Sequence, residues 1–375
     1  MTYNYDRRQL IALAYIASLA PGIRLMPRYC AEYAGKAAWL APLAALPVLI
    51  IYAWLLSGFL SHRHGGEGLG ELILRTNGKA FGGFVLAAAS AFLLFCCGFI
   101  LRSGAERFIS TVYPAASPWS FVVVMLLIGA FAALGAKSAL VRTAKIFTPV
   151  ITVVLVVVLA FSLTDAEGAS VLPVNADDAG GVLRAAVPML EIFAGMLVYA
   201  SVFENESPKQ GGRLKAYLRL IAPASLLFAV LCLACVGSYG AAMTARFSHP
   251  FFSMIRNVTL FRSIEHIEAI VVALWVLPDF VVFTMMLTAA SHMLRLLLGY
   301  VPEHGGARFF DMKNGRWVIP VCAAISLGAV FYFDANAAKL QFFSEAVVPI
   351  ANMAIVLVLI PICALVCALT QSYKK

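Results

Sequence analysis

In the stretch IASLAPGIRLMP, Ile16 to Pro27, an arginine stands two residues after a Pro-Gly pair, inside an otherwise apolar run. Pro21 supplies no backbone donor and clashes with the carbonyl one turn earlier, and Gly22 tolerates backbone angles that other residues do not. Unpaired N–H and C=O groups are costly in hydrocarbon, so a broken helix persists only where it is buried in protein or lines a cavity. Freed amides suit a carboxylate and freed carbonyls suit an ammonium group. Arg24 can meet a carboxylate directly or fold outward over an entrance. The chemistry on offer is recognition of a small charged molecule; a simple proline kink is the competing reading.

Other ionisable residues lie within apolar runs, where a functional role is the default hypothesis. Glu191 sits in AVPMLEIFAGMLVYA beside Pro188 and Gly195; it belongs either to a ligand site or to the end of its helix. Asp279 follows Trp275 and Pro278 in IVVALWVLPDFVVF, and either meets a ligand or a proton or partners a neighbouring helix. Glu265 and Glu268 share a helix face, with Arg262 and His266 beside them, and Arg102 stands four residues before Glu106. These residues, Arg102, Glu106, Glu265, His266 and Glu268, read as a structural ion-pair network, with a proton relay as the sharper alternative. Phe95 and Phe99 share a face that fits core packing as well as a site. The candidate ligand-binding set is Ala20, Pro21, Gly22, Ile23, Arg24, Phe95, Phe99, Glu191, Gly195, Met196, Asp279, Phe283 and Thr284.

The elements that must hold these side chains are membrane helices. Of 375 residues, 62% are hydrophobic and 13% charged, where globular chains carry about 25% charged. Runs such as VITVVLVVVLAFSL are apolar on every side, unlike the alternation of a barrel strand. About ten spans are expected, near 9–33, 38–60, 81–111, 119–136, 143–163, 183–203, 215–239, 264–299, 316–333 and 343–370. The largest outer segment, Ala241 to Arg262, reads as a short interfacial helix. Span 1 is broken at Pro21-Gly22 and span 6 at Pro188 and Gly195. Breaks five spans apart fit two five-helix halves, about 9–163 and 183–370, each opening with a discontinuous helix. The whole of 1–375 reads as one transmembrane domain.

The net charge of +9 follows from the positive-inside rule rather than from nucleic-acid binding. Eighteen of the 28 basic residues fall in segments that are cytoplasmic if the N-terminus is, which places both termini inside. The N-terminal segment lacks the marks of a cleavable signal peptide. Eight cysteines lie nearly all in apolar runs and read as packing residues; the Cys232–Cys235 pair is mid-helix. No Walker, HExxH or G-x-S-x-G pattern occurs. Neither an enzyme, a metal site nor a cofactor is expected.

Four segments, RRQLIALAYIASLAPGIRLMP, EYAGKAAWLAPL, FILRSGAERF and RSIEHIEAIVVALWV, resemble the spore-germination permease family, the B subunits of germinant receptors within the amino acid/polyamine/organocation superfamily. The resemblance covers essentially the whole chain. It implies a LeuT-like fold of ten helices with an amino-acid-sized site between spans 1, 3, 6 and 8. It also implies a small amino-acid germinant such as alanine, partner A and C subunits, and the inner spore membrane. Gly22 matches the second glycine of the family's span-1 pattern, and Gly195 matches the span-6 glycine. Ala20 and Pro21 replace the usual Gly-Thr type residues, Arg24 stands where an apolar residue is usual, Leu197 replaces a residue often acidic, and His266 replaces an arginine. An ion- or proton-coupled amino-acid permease, with Lys145, Asp279 or Glu191 carrying the proton, is the alternative function; a structural subunit with a vestigial site is a third.

Overall fold

The computed structural model describes residues 7–64, 67–111, 115–164, 166–204, 210–257, 267–300, 314–334 and 337–372. Among them every regular element is helical, as it must be where no water competes for backbone hydrogen bonds. The principal helices are α1 (Arg7–Ala34), α2 (Leu46–Ser61), α3 (Gly83–Thr111), α4 (Pro118–Leu134) and α5 (Lys137–Thr164). They continue as α6 (Val187–Ser201), α7 (Gln210–Arg246), α8 (Ile267–Leu297), α9 (Val318–Asp334) and α10 (Val348–Thr370). Among the described residues seven apolar stretches are long enough to cross a membrane; the first, Arg8–Ser61, contains both α1 and α2, and α4 and α9 are shorter apolar helices. These make up the ten expected spans.

Outward faces stay apolar although exposed: Leu127 on α4, Ile146 on α5 and Leu369 on α10 all point away from the protein core. Such a surface is stable against lipid and not against water. Inside, α1 packs against α5, α6, α7 and α8. Its buried face is built from Ala14, Ala17 and Ala20, and a Cβ at Gly22 would collide with the Phe228 ring of α7. Small residues let membrane helices approach closely, where dispersion rather than hydrophobicity holds them. All eight cysteines are buried and free.

Two local expectations are revised. The interruption at Pro21 is not an unwound segment: α1 runs through both Pro21 and Pro27 as one helix. The missing donors strip the carbonyls of Ala17 and Ile23 of their helical partners, and the helix continues through both positions while packed on four neighbouring helices. At span 6 the interruption is the turn residue Ala186, between a short Ala179–Ala185 helix and α6, and Gly195 lies in unbroken helix. Pro188, early in α6, needs no helical donor.

Near the end of α7 the helix is kinked at Gly240, which takes φ 71° and ψ 160°, a conformation open to glycine. The redirected chain leads to Ala245, whose carbonyl accepts a hydrogen bond from Arg28 Nε at 3.2 Å. The helix Pro250–Asn257 follows, within the segment expected to lie at the interface. Its Phe251 and Phe252 instead turn inward and pack on Trp275, with ring centroids at 5.7 and 5.9 Å. Aromatic burial against α8 therefore wins over contact with the bilayer surface.

Candidate functional site

Four helices bring charge to the centre. Along α3 the residues Phe92, Cys96, Phe99, Ser103 and Arg107 recur at intervals of three and four, which aligns them in one stripe. This stripe faces Ala20, Pro21 and Arg24 of α1, Glu191 and Met196 of α6, and Asp279 of α8 across a cavity of about 50 Å³. A water needs roughly 10–15 Å³ on this scale, so the space suits a molecule of a few heavy atoms.

Arg24 Nη1 donates to Ser103 Oγ at 2.7 Å, and the guanidinium lies 4.5 Å from the centroid of Phe99. Its Nε is shielded from solvent and has no hydrogen-bond partner. On α6, Glu191 is held by Asn352 of α10: Asn352 Nδ2 donates to Glu191 Oε1 at 2.8 Å and to the Glu191 carbonyl at 2.9 Å. Tyr199 in turn donates its hydroxyl to Asn352 Oδ1 at 2.6 Å, fixing the amide's orientation. Glu191 Oε2 remains buried without a partner. Asp279 is ion-paired with Arg107, whose guanidinium also lies 5.3 Å from the Phe252 centroid. The cavity thus offers an incompletely bonded cation and an incompletely bonded anion, and each such buried group costs about 1–3 kcal/mol until a partner arrives.

Outside this cavity, towards the C-terminal end of α1, lies a vestibule of about 320 Å³. Arg28, Glu32, Glu106 and His249 line it, together with Arg24 and Phe99. Burial, reinforced by Arg107, Arg24 and Arg28, pushes the His249 imidazole down to about 3, so it is uncharged. At the opposite end of the bundle, Glu204 just beyond α6 is clasped by Arg63 at 3.1 Å and Arg213 at 3.0 Å. The cavity therefore has an approach on one side and a buried charged cluster on the other.

Seven candidates, Ala20, Pro21, Arg24, Phe99, Glu191, Met196 and Asp279, come together around the cavity. The others are placed differently. Gly22 serves the contact with Phe228, and Ile23 is fully buried in the core. Phe95 packs on Phe333 and Phe343, each 5.0 Å away. Phe283 fills the space beside Gly129 of α4, with Thr284 next to it. A methyl at Gly195 would stand 2.7 Å from Asn352 Nδ2, so this glycine admits the amide that holds Glu191 rather than opening backbone to a ligand. We expect Gly195→Ala to displace Asn352 and weaken ligand affinity roughly tenfold, read by equilibrium binding at unchanged membrane abundance.

In the suggested ion-pair network, Arg102 and Glu106 are half-buried on α3 and Glu106 belongs to the vestibule wall. Glu265 and His266 lie outside the described residues, as does the side chain of Glu268. Lys145 is exposed on α5, away from any candidate site. Ser103, Arg107, Tyr199 and Asn352 were missed. The α3 stripe and a lone amide inside the apolar run VVPIANMAIVLVL were the available signals.

Ten apolar spans around a buried charged cavity define a permease-type, multi-pass membrane protein. Over residues 6–338 the chain matches the family model described as spore germination protein, and it belongs to that family. Among solved structures it is similar to a Na+-coupled sialic acid symporter in a substrate-bound outward-open state, at 11% identity and TM-score 0.62, covering 94% of this chain and 79% of that one. It is also similar to Mhp1, a nucleobase-cation-symport-1 family transporter with bromovinylhydantoin bound, at 14% identity and TM-score 0.62, covering 94% and 78%. MhsT in complex with L-phenylalanine matches at 18% identity and TM-score 0.57, covering 98% and 99%. The fold is that of the LeuT-type transporters. No curated protein sequence matches the chain.

Proposed function

We propose that this protein is the membrane subunit of a spore germinant receptor and binds a small zwitterionic amino acid in the central cavity. The observation that carries this reading is the pair of unpartnered buried atoms, Arg24 Nε and Glu191 Oε2, in the lining of one cavity. A ligand carboxylate on Arg24 and its ammonium on Glu191 would complete both. Family membership supports the germination context; the A and C subunits as partners and the inner spore membrane as the setting are part of this proposal. Occupancy signals by favouring one arrangement of the bundle, to the extent that the ligand binds that arrangement more tightly than the other.

A coupled permease is the second reading, favoured by the likeness to a Na+-coupled symporter. Of its three proton carriers, Lys145 is exposed and Asp279 is already paired, which leaves Glu191. Purified protein in liposomes, given labelled L-alanine, separates the two. Saturable binding without accumulation is the expected result. Accumulation that collapses with the pH gradient would overturn the receptor reading in favour of the permease.

A further inference from the structure

At the end of the bundle opposite the vestibule, a smaller cavity of about 30 Å³ lies between the first turns of α1, the end of α6 and the first turns of α7. Leu10, Leu197, Ala216 and Leu220 give it apolar walls, and Glu204 and Arg213 supply its charge. Glu204 Oε1 accepts a hydrogen bond from Arg213 Nε at 3.0 Å and lies 3.1 Å from Arg63 Nη2, so two buried guanidinium groups share this carboxylate. Backbone carbonyls take two more of their nitrogens: Arg63 Nη1 donates to Glu204 at 2.8 Å and Arg213 Nη1 to Ser57 at 3.1 Å. Arg213 Nη2 is left over, buried and without a hydrogen-bond partner among the described residues. Two cations against one anion leave the cluster with a surplus positive charge, and the side chain with the unused nitrogen lines the cavity.

A buried charge without a full counter-ion is costly, and an anion that reaches it recovers that cost. The shape of the cavity limits which anion this is. A water needs roughly 10–15 Å³ on the same scale, so there is room for two or three water-sized groups. The Glu204 carboxylate repels a second negative charge, and apolar walls cannot replace the hydration shell of a compact ion such as sulfate. The same walls favour an anion that carries a methyl or methylene group. We propose that this cavity is a second ligand site, which takes a short-chain monocarboxylate with an oxygen on Arg213 Nη2 and its alkyl end against Leu10 and Leu220. Arg24 and Glu191 do not line it, so the site stands apart from the zwitterion reading of the central cavity. Its occupant contacts α1, α6 and α7 together and therefore stabilises the arrangement in which their ends meet.

Thermal unfolding of the full-length protein in nanodiscs tests the site, in the Arg24→Met variant so that no carboxylate acts through Arg24. Potassium gluconate, whose anion is too large for the cavity, is replaced at constant ionic strength and neutral pH by formate, acetate, butyrate, chloride or sulfate. Saturating acetate is expected to raise the unfolding midpoint by about 2 °C, with formate close behind and the other three ions near the gluconate value. Ala216→Met in the same background fills the cavity with a flexible apolar side chain and leaves the Arg213–Glu204 pair in place; it should abolish the acetate response. The proposal is overturned by the absence of an acetate response, by an equal response to chloride, or by an acetate response that survives Ala216→Met. A response that grows steadily from formate to butyrate, the mark of non-specific apolar adsorption, overturns it as well. Should Ala216→Met fail to insert, the dependence on anion size and charge decides between these outcomes by itself.

Discussion

Arg24→Met is expected to weaken ligand binding by roughly a hundredfold, about 3 kcal/mol, while the protein still inserts at normal abundance. The guanidinium makes one hydrogen bond, to Ser103, and one ring contact, to Phe99, and keeps Nε unpartnered within the cavity wall. Its removal therefore disturbs little of the packing but deletes the carboxylate's partner. Arg24→Lys should recover only part of the affinity, because a lysine is a point charge without the planar fork that grips a carboxylate. Equilibrium binding of labelled L-alanine, set beside membrane abundance for each variant, reads both effects. Wild-type affinity in Arg24→Met would take the arginine out of the site.

Asp279→Asn has the other large effect, and it falls on the folded protein. The Asp279 carboxylate is buried and paired with Arg107, which is itself buried. Neutralising one member of such a pair costs about 3–5 kcal/mol, because a buried charge loses its counter-ion, whereas replacing both members by apolar groups of similar size is often close to neutral. Asp279→Asn should thus lower membrane abundance and thermal stability, and Arg107→Met combined with Asp279→Leu should restore much of both. Normal abundance of Asp279→Asn with loss of ligand response would show instead that this carboxylate serves the ligand.

Much of the architecture was legible because lipid leaves few choices. Length and apolarity alone mark a span, and a polar group inside one must be held by protein. That logic singled out Arg24, Glu191 and Asp279, all of which reach the same cavity. It could not distinguish a glycine used for backbone exposure from one used for close packing. Gly22 and Gly195 look alike in sequence, yet one admits Phe228 and the other Asn352. Nor could helical spacing alone reveal which of two polar faces of α3 turns inward. Arg102 and Glu106 are four residues apart, and so are Ser103 and Arg107; the second pair faces the cavity because α1 and α8 supply its partners, Arg24 and Asp279. Asn352 had no sequence neighbour to flag it, since its partners, Glu191 and Tyr199, lie more than a hundred and fifty residues earlier.

The central claim is that one cavity recognises both ends of a zwitterion. Displacement of labelled L-alanine by unlabelled alanine, by alaninamide, which keeps the ammonium alone, and by propionate, which keeps the carboxylate alone, tests it most directly. Alanine should compete at least a hundredfold better than either half-molecule, and Glu191→Gln should abolish the advantage of alanine over propionate. Equal competition by alaninamide or propionate would contradict the paired roles of Arg24 and Glu191.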